Sequence, residues 1–211
     1  MKPRHLPKDN ELSHGFSLLE LLIVVTITSL TAVWVLPDFS RRIAQAKVDR
    51  YTRNIESGLL SLRARMGAIK GSCEIDFSER SDFIAGQFSA PEKLIERQQS
   101  NGTLSSRDAL RKCREGYLDD PHVNNQAFRL VHLEGTQERD SVEVSVQTPT
   151  FAFTPPGTTA NASAMTILIR SKHTTGLSSN KIARIRCVQI NGNGQVFAGS
   201  WEGTTEQCLS D

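Results

Sequence analysis

One carboxylate stands inside the most apolar stretch of this chain. From Phe16 to Leu36 the sequence reads FSLLELLIVVTITSLTAVWVL, 21 residues in which Glu20 is the only ionisable side chain. A carboxylate near a bilayer costs about 2 to 3 kcal/mol on insertion scales, so one kept there normally has a cationic partner. Gly15 lies directly before the run, and a glycine before a scissile bond lets an extended backbone enter a protease cleft without a side-chain clash. Cleavage between Gly15 and Phe16 would expose a cationic amine four residues from Glu20. Such an amine and the carboxylate of a neighbouring copy could compensate each other out of water.

Other reactive or charged residues are less concentrated. Cys73, Cys113, Cys187 and Cys208 contain no CxxC pair and allow three pairings if oxidised. A bond between Cys187 and Cys208 would close a loop over the last hairpin and pin the tail, adding of order 3 kcal/mol through loop-closure entropy. Cys73 and Cys113 would then tie the preceding helix to the segment after it. Between Arg170 and Arg186 stand Arg170, Lys172, Lys181, Arg184 and Arg186 with His173 and no acidic residue, the one-signed patch that phosphate contacts need. Arg184 and Arg186 share their parity with Ile182 and Val188, so part of that face is expected to be packed. There is no P-loop, HExxH or GxSxG, and the histidines at 5, 14, 122, 132 and 173 are scattered. We therefore expect no catalysis, no cofactor and no metal.

The elements that hold these residues follow from composition and period. At 211 residues the chain allows one ordinary domain and an appendage. With 23% charged and 38% hydrophobic residues it is neither wholly disordered nor polytopic, and a net charge of +2 leaves electrostatics to local clusters. The run 16–36 is long enough, at about 1.5 Å per residue, to cross a hydrocarbon layer of about 30 Å. It is too long for a cleaved secretory signal and ends in bulky Trp34, Val35 and Leu36 rather than a small-x-small site. The flank after it carries Arg41, Arg42, Lys47 and Arg50 against Lys2, Arg4 and Lys8 before it. The positive-inside rule alone would therefore keep the C-terminal part in the cytoplasm.

The stretch His14-Gly15-Phe16-Ser17-Leu18-Leu19-Glu20-Leu21-Leu22, followed by Pro37 after the apolar run, resembles the class III signal of type IV prepilins and type II secretion pseudopilins. The resemblance implies that a membrane prepilin peptidase cuts after Gly15 and methylates the amine of Phe16. It also implies that Glu20 serves subunit assembly. The expected topology is single-pass in the inner membrane, with the N-terminus cytoplasmic, the C-terminal domain periplasmic and later transfer to the pilus or cell surface. That motif and the cysteines, which need an oxidising compartment to pair, outweigh the charge count.

Beyond Pro37, residues Ala44, Val48, Tyr51, Ile55, Leu59, Leu62, Met66 and Ile69 recur at spacings of three and four, one stripe of an amphipathic helix. Its excess of basic residues is expected to be a solvated face, or to touch acidic lipid head groups or neighbouring subunits. Segment 71–125 reads as an insertion, with short helices at Pro91–Gln99 and Ser105–Arg114 and turns at Asn101-Gly102 and Asp120-Pro121. The period then becomes two: Ala127–Leu133, Ser141–Gln147, Thr150–Thr154, Met165–Arg170, Ile182–Ile190 and Gln195–Ser200 read as strands, and Asn191-Gly192-Asn193-Gly194 as a hairpin turn. The expected class is α+β, a long N-terminal transmembrane and amphipathic helix packed on an antiparallel sheet. Its parts are a leader 1–15, membrane helix 16–36, stem helix 37–70, insertion 71–125 and sheet domain 126–211.

Phe151-Ala152-Phe153-Thr154-Pro155-Pro156-Gly157-Thr158, then Ile185-Arg186-Cys187-Val188-Gln189-Ile190 and Asn193-Gly194-Gln195-Val196, resemble the C-terminal half of GspH/FimT-type minor pilins and pseudopilins. Some FimT-like members bind DNA through a Gly-Arg-x-Arg pattern, where this chain has Gly194-Gln195-Val196-Phe197, without the two arginines. The expected role is a minor pilin of a type IV pilus, incorporated in or priming the filament, with possible support of DNA uptake. The alternatives are a type II secretion pseudopilin and an unprocessed anchored protein of unrelated role. The expected partners are the prepilin peptidase, other major and minor pilins, the inner-membrane assembly platform and the membrane, with DNA added under the DNA-uptake reading.

Overall fold

The computed structural model describes residues 17–69, 72–77, 83–95, 97–98, 104–105, 130–131, 137–155, 158–159, 164–174 and 183–210. It forms two compact units, Met1–Ser40 and Arg41–Asp211. Helix α1 (Leu18–Ile69) begins in the first and ends in the second.

In the first unit α1 contains six consecutive β-branched residues, Ile23 to Thr28, a composition that on its own weakens a helix. In the second unit, its residues Ala44, Val48, Tyr51, Ile55, Leu59, Leu62 and Met66 are buried, the stripe that the spacing predicts. The Ile69 side chain lies outside the described residues. Fully burying each larger member of this stripe stabilises the fold by roughly 1.5 to 3 kcal/mol. Its Thr52 hydroxyl, also buried, donates to the Val48 carbonyl at 2.8 Å, so this hydroxyl is not stranded under the sheet.

Two antiparallel sheets supply the other side of this core. The five-stranded sheet runs β10-β9-β8-β7-β4, and the three-stranded one β1-β5-β6. Their strands are β1 (Cys73–Asp76), β4 (Val142–Val146), β5 (Thr150–Thr154), β6 (Thr158–Thr159), β7 (Met165–Ser171), β8 (Arg186–Ile190), β9 (Val196–Glu202) and β10 (Gln207–Ser210). Val142, Val144 and Val146 of β4, Ile167 and Ile169 of β7, and Val188 and Ile190 of β8 join the α1 stripe in one cluster. Phe151 and Phe153 sit two apart on β5 and so on one face, their rings edge to face at 5.3 Å. With Cys73, Ile75 and Phe77 they extend the same core. The outer edge of β4 is covered by the preceding chain: Ser89 and Val144 exchange backbone hydrogen bonds at 2.8 Å, and Gly86 N–H donates to Val146 at 3.3 Å.

The α+β class and antiparallel pairing agree with expectation, while several elements differ. The helix expected over Pro91–Gln99 is α2 (Pro91–Leu94) only. Arg97–Gln98 is instead strand β2, paired with β3 (Leu104–Ser105) across the Asn101-Gly102 turn signal. Ser105 is therefore a strand residue, and the rest of the helix expected to Arg114 lies outside the described residues. Of Ala127–Leu133 only Leu130 and Val131 are described; both are buried and neither is in a strand. A short helix α3 (Gln137–Asp140) precedes β4. Strand β8 starts at Arg186 rather than at residue 182, because the Arg184 N–H is given to the Gln45 Oε1 of α1 at 2.8 Å rather than to a neighbouring strand. Strands β1, β6 and β10 were not expected, and β1 pairs with β5 from within the segment read as an insertion.

The helix touches a backbone segment at one glycine. A Cβ placed on Gly58 would lie 2.0 Å from the Leu130 carbonyl oxygen, so only glycine allows this approach. Gly58→Ala should lower unfolding stability by about 1 to 3 kcal/mol despite its better helix propensity. Ser57→Ala, one residue away and exposed, should cost nothing measurable. Urea unfolding followed by circular dichroism separates the two.

Candidate functional site

The most exposed apolar surface is the start of α1. Leu18, Leu19, Leu21, Leu22, Ile23, Val24, Val25, Ile27, Leu30 and Val33 are all exposed, Leu18 at 83% and Val33 at 70%. They occupy every face of the helix, the pattern of a segment surrounded by lipid or by other apolar helices. The four hydroxyls between them are satisfied locally. Thr26 donates to Ile23 O at 2.8 Å, Thr28 to Val24 O at 2.8 Å, Ser29 to Val25 O at 2.6 Å and Thr31 to Ile27 O at 3.1 Å. Each hydroxyl returns its proton to the turn before, leaving no donor that needs water. The sequence already held this feature, in the recurrence of Thr and Ser amid the apolar run, and periodicity alone did not bring it out.

Glu20 is exposed in the first turn of α1, where the helix dipole favours a carboxylate. Gly15 and Phe16, the expected cleavage pair, lie outside the described residues. Among those residues no single helix is long and apolar enough to cross a membrane; Leu18–Val33 and Asp38–Ala68 pass only as an interrupted pair. Leu18 to Val33 amounts to about 24 Å of helix, and the sequence carries the apolar run on to Leu36.

In the second unit a polar network ties α1 to the sheet. Gln45 Nε2 donates to Asp49 Oδ1 at 2.9 Å, and the same oxygen lies 3.3 Å from Arg186 Nε. Arg186 Nη1 donates to Ser200 Oγ at 2.9 Å. One helical turn, Gln45 to Asp49, thus fixes both the entry to β8 and its first residue. Lys47 donates to Ser141 Oγ at 3.1 Å, and Arg50 pairs with Glu138 of α3 at 3.2 Å.

This network bears on the expected basic patch. Arg186 faces Asp49 with its side chain 15% exposed. Arg170 pairs with Glu143 at 2.8 Å, and its guanidinium lies 4.0 Å from the centroid of the Phe88 ring, a cation–π contact. Lys172 and Arg184 are exposed, His173 with them, and Lys181 lies outside the described residues. Of the four described cations, Arg170 and Arg186 are thus engaged with carboxylates and Lys172 and Arg184 are open. After Arg186 the chain has no Lys or Arg, only Glu202, Glu206 and Asp211. Among the described residues, no group of three or more His, Cys, Asp or Glu side chains could hold a metal ion.

The tail is covalently held. Cys187 of β8 and Cys208 of β10 form a disulfide with Cα atoms 5.9 Å apart, although β9 lies between their strands in the sheet. Strands β9 and β10 approach closely at Gly199, where an added Cβ would lie 2.0 Å from the Leu209 carbonyl oxygen. Cys73 is disulfide-bonded as well; its expected partner Cys113 lies outside the described residues.

Residues 12–36 match a family model described as the prokaryotic N-terminal methylation motif. The chain carries the type IV prepilin and pseudopilin signature. No curated protein and no solved structure matches it. The matched residues include Gly15, Phe16 and Glu20 and end at Leu36. The signature implies processing by a prepilin peptidase, membrane anchoring and assembly with other pilins. A helix packed on antiparallel sheets is consistent with the type IV pilin fold.

Replacing Cys187 and Cys208 together by serine should lower unfolding stability by about 3 kcal/mol, through the loop entropy released in the unfolded chain. The urea midpoint, compared with that of the oxidised protein, reads this loss.

Proposed function

We propose that this chain is a minor pilin of a type IV pilus. A prepilin peptidase cuts between Gly15 and Phe16 and methylates the new amine. The mature subunit waits in the inner membrane on residues 16–36, with its domain in the periplasm, and is then drawn into the filament. The observation that carries this reading is the signature over residues 12–36, with Glu20 four residues past the cleavage point and an all-round apolar helix around it. In an assembled filament the Phe16 amine of one subunit meets the Glu20 carboxylate of the next, so neither charge stays unpaired away from water. The minor role rests on the likeness of the C-terminal half to GspH/FimT-type subunits.

The same signature serves type II secretion pseudopilins, and where the chain is found separates the two. A minor pilin co-purifies with filaments sheared from the cell surface, whereas a pseudopilin stays with the cell envelope and its loss stops protein export. DNA capture has no comparable footing. Arg170 and Arg186 already have carboxylate partners, and the last two strands and the tail carry only acidic charge.

Glu20→Ala should leave cleavage intact but reduce recovery of the chain in sheared filaments roughly tenfold or more, because each subunit would then bury an unpaired amine. Immunoblotting of the sheared and cell fractions reads both effects. Recovery of the variant at the wild-type level would remove the assembly role given to Glu20.

A further inference from the structure

Two cations of the α1 segment in the second unit have described partners inside the fold. Lys47 reaches Ser141 and Arg50 reaches Glu138. Arg41 and Arg42 do not: both are exposed, and neither makes a hydrogen bond or ion pair among the described residues. Ile43, one residue on in the same unit, is a large apolar side chain that is also exposed, at 42%, and Phe39 at the end of the first unit is exposed at 59%. Asp38, also exposed, is an acidic residue one turn before them in sequence. Apolar and cationic side chains side by side on a helix suit a membrane interface, where the first enter the acyl boundary and the second reach phosphates.

Chain distance sets the depth. Arg41 and Arg42 follow Leu36 by five and six residues, at most about 8 to 9 Å of helix. The polar layer on each side of a bilayer core is about 5 to 8 Å thick. If Leu36 ends the apolar span, the two guanidinium groups come within reach of that layer.

We infer that Arg41 and Arg42 bind anionic phospholipid head groups on the face of the membrane from which the domain projects. The inference rests on the membrane-anchored part of the proposed function. Guanidinium suits the task because its planar fork donates two parallel hydrogen bonds to a phosphate. The contact also gives a reason for cations on a flank where the positive-inside rule disfavours them. Drawing the subunit into a filament must break this contact.

The test uses the full chain in nanodiscs of equal parts phosphatidylcholine and phosphatidylglycerol, with native mass spectrometry counting the lipids retained. The wild type should keep phosphatidylglycerol over phosphatidylcholine several-fold. Arg41→Gln with Arg42→Gln should abolish that preference. Arg53→Gln, an exposed cation of the same helix but 17 residues past Leu36, should leave it unchanged. A wild type with no preference, or a double variant that keeps it, overturns the inference, and the second result would return these residues to contacts with neighbouring subunits. The same spectra give the mass of the chain. A chain processed at Phe16 without lipid preference refutes the lipid contact and leaves the pilin reading standing. An unprocessed chain from peptidase-competent cells whose preference follows Arg41 and Arg42 does the reverse.

Discussion

Helix α1 is apolar on every side before Pro37 and on one side beyond it, and the rest of the molecule follows from that change. The first part offers no surface to water: its large side chains point outward in all directions and its hydroxyls are bonded back into the helix. Such a segment has to be surrounded, by lipid before assembly or by like helices after it. The second part offers one stripe, from Ala44 to Met66, and that stripe is the floor on which both sheets fold. A helix with two kinds of surface suits a subunit that must be stable in two surroundings.

The domain built on the stripe has few aromatic residues, and polar and covalent ties supplement its core. The turn from Gln45 to Asp49 holds the start of β8 through two separate contacts. Gly58 and Gly199 are places where backbone meets backbone, at the Leu130 and Leu209 carbonyls. Strand β10 shows how much the covalent tie matters. Its residues are largely exposed, so hydrophobic burial contributes little to its place, and the bond to Cys187 fastens it.

What could be read from sequence depended on how local the cause was. The α1 stripe was legible because burial on one side imposes a period of 3.6, and β4, β5 and β7 because their pairing leaves continuous or alternating apolar runs. Strand β10 was not, since Gln207 to Ser210 alternates nothing. The start of β8 was misplaced because the group that takes the Arg184 N–H, Gln45, lies on another element. The partners of Arg170 and Arg186, Glu143 and Asp49, are likewise remote in sequence, so a linear count of cations could not show that two of them are already engaged. The N-terminal signature over residues 12–36 was legible because it lies in the spacing of residues close in sequence, Gly15 before the apolar run and Glu20 within it.

The central claim is that this chain matures as a prepilin. The most direct measurement is the intact mass and N-terminal peptide of the protein taken from its own membranes, with and without the prepilin peptidase. The account predicts a chain beginning at Phe16 with one methyl group on its amine when the peptidase is present, and an intact leader when it is absent. A leader that remains in peptidase-competent cells would contradict it, and would leave the charge distribution around the apolar run as the better guide to topology.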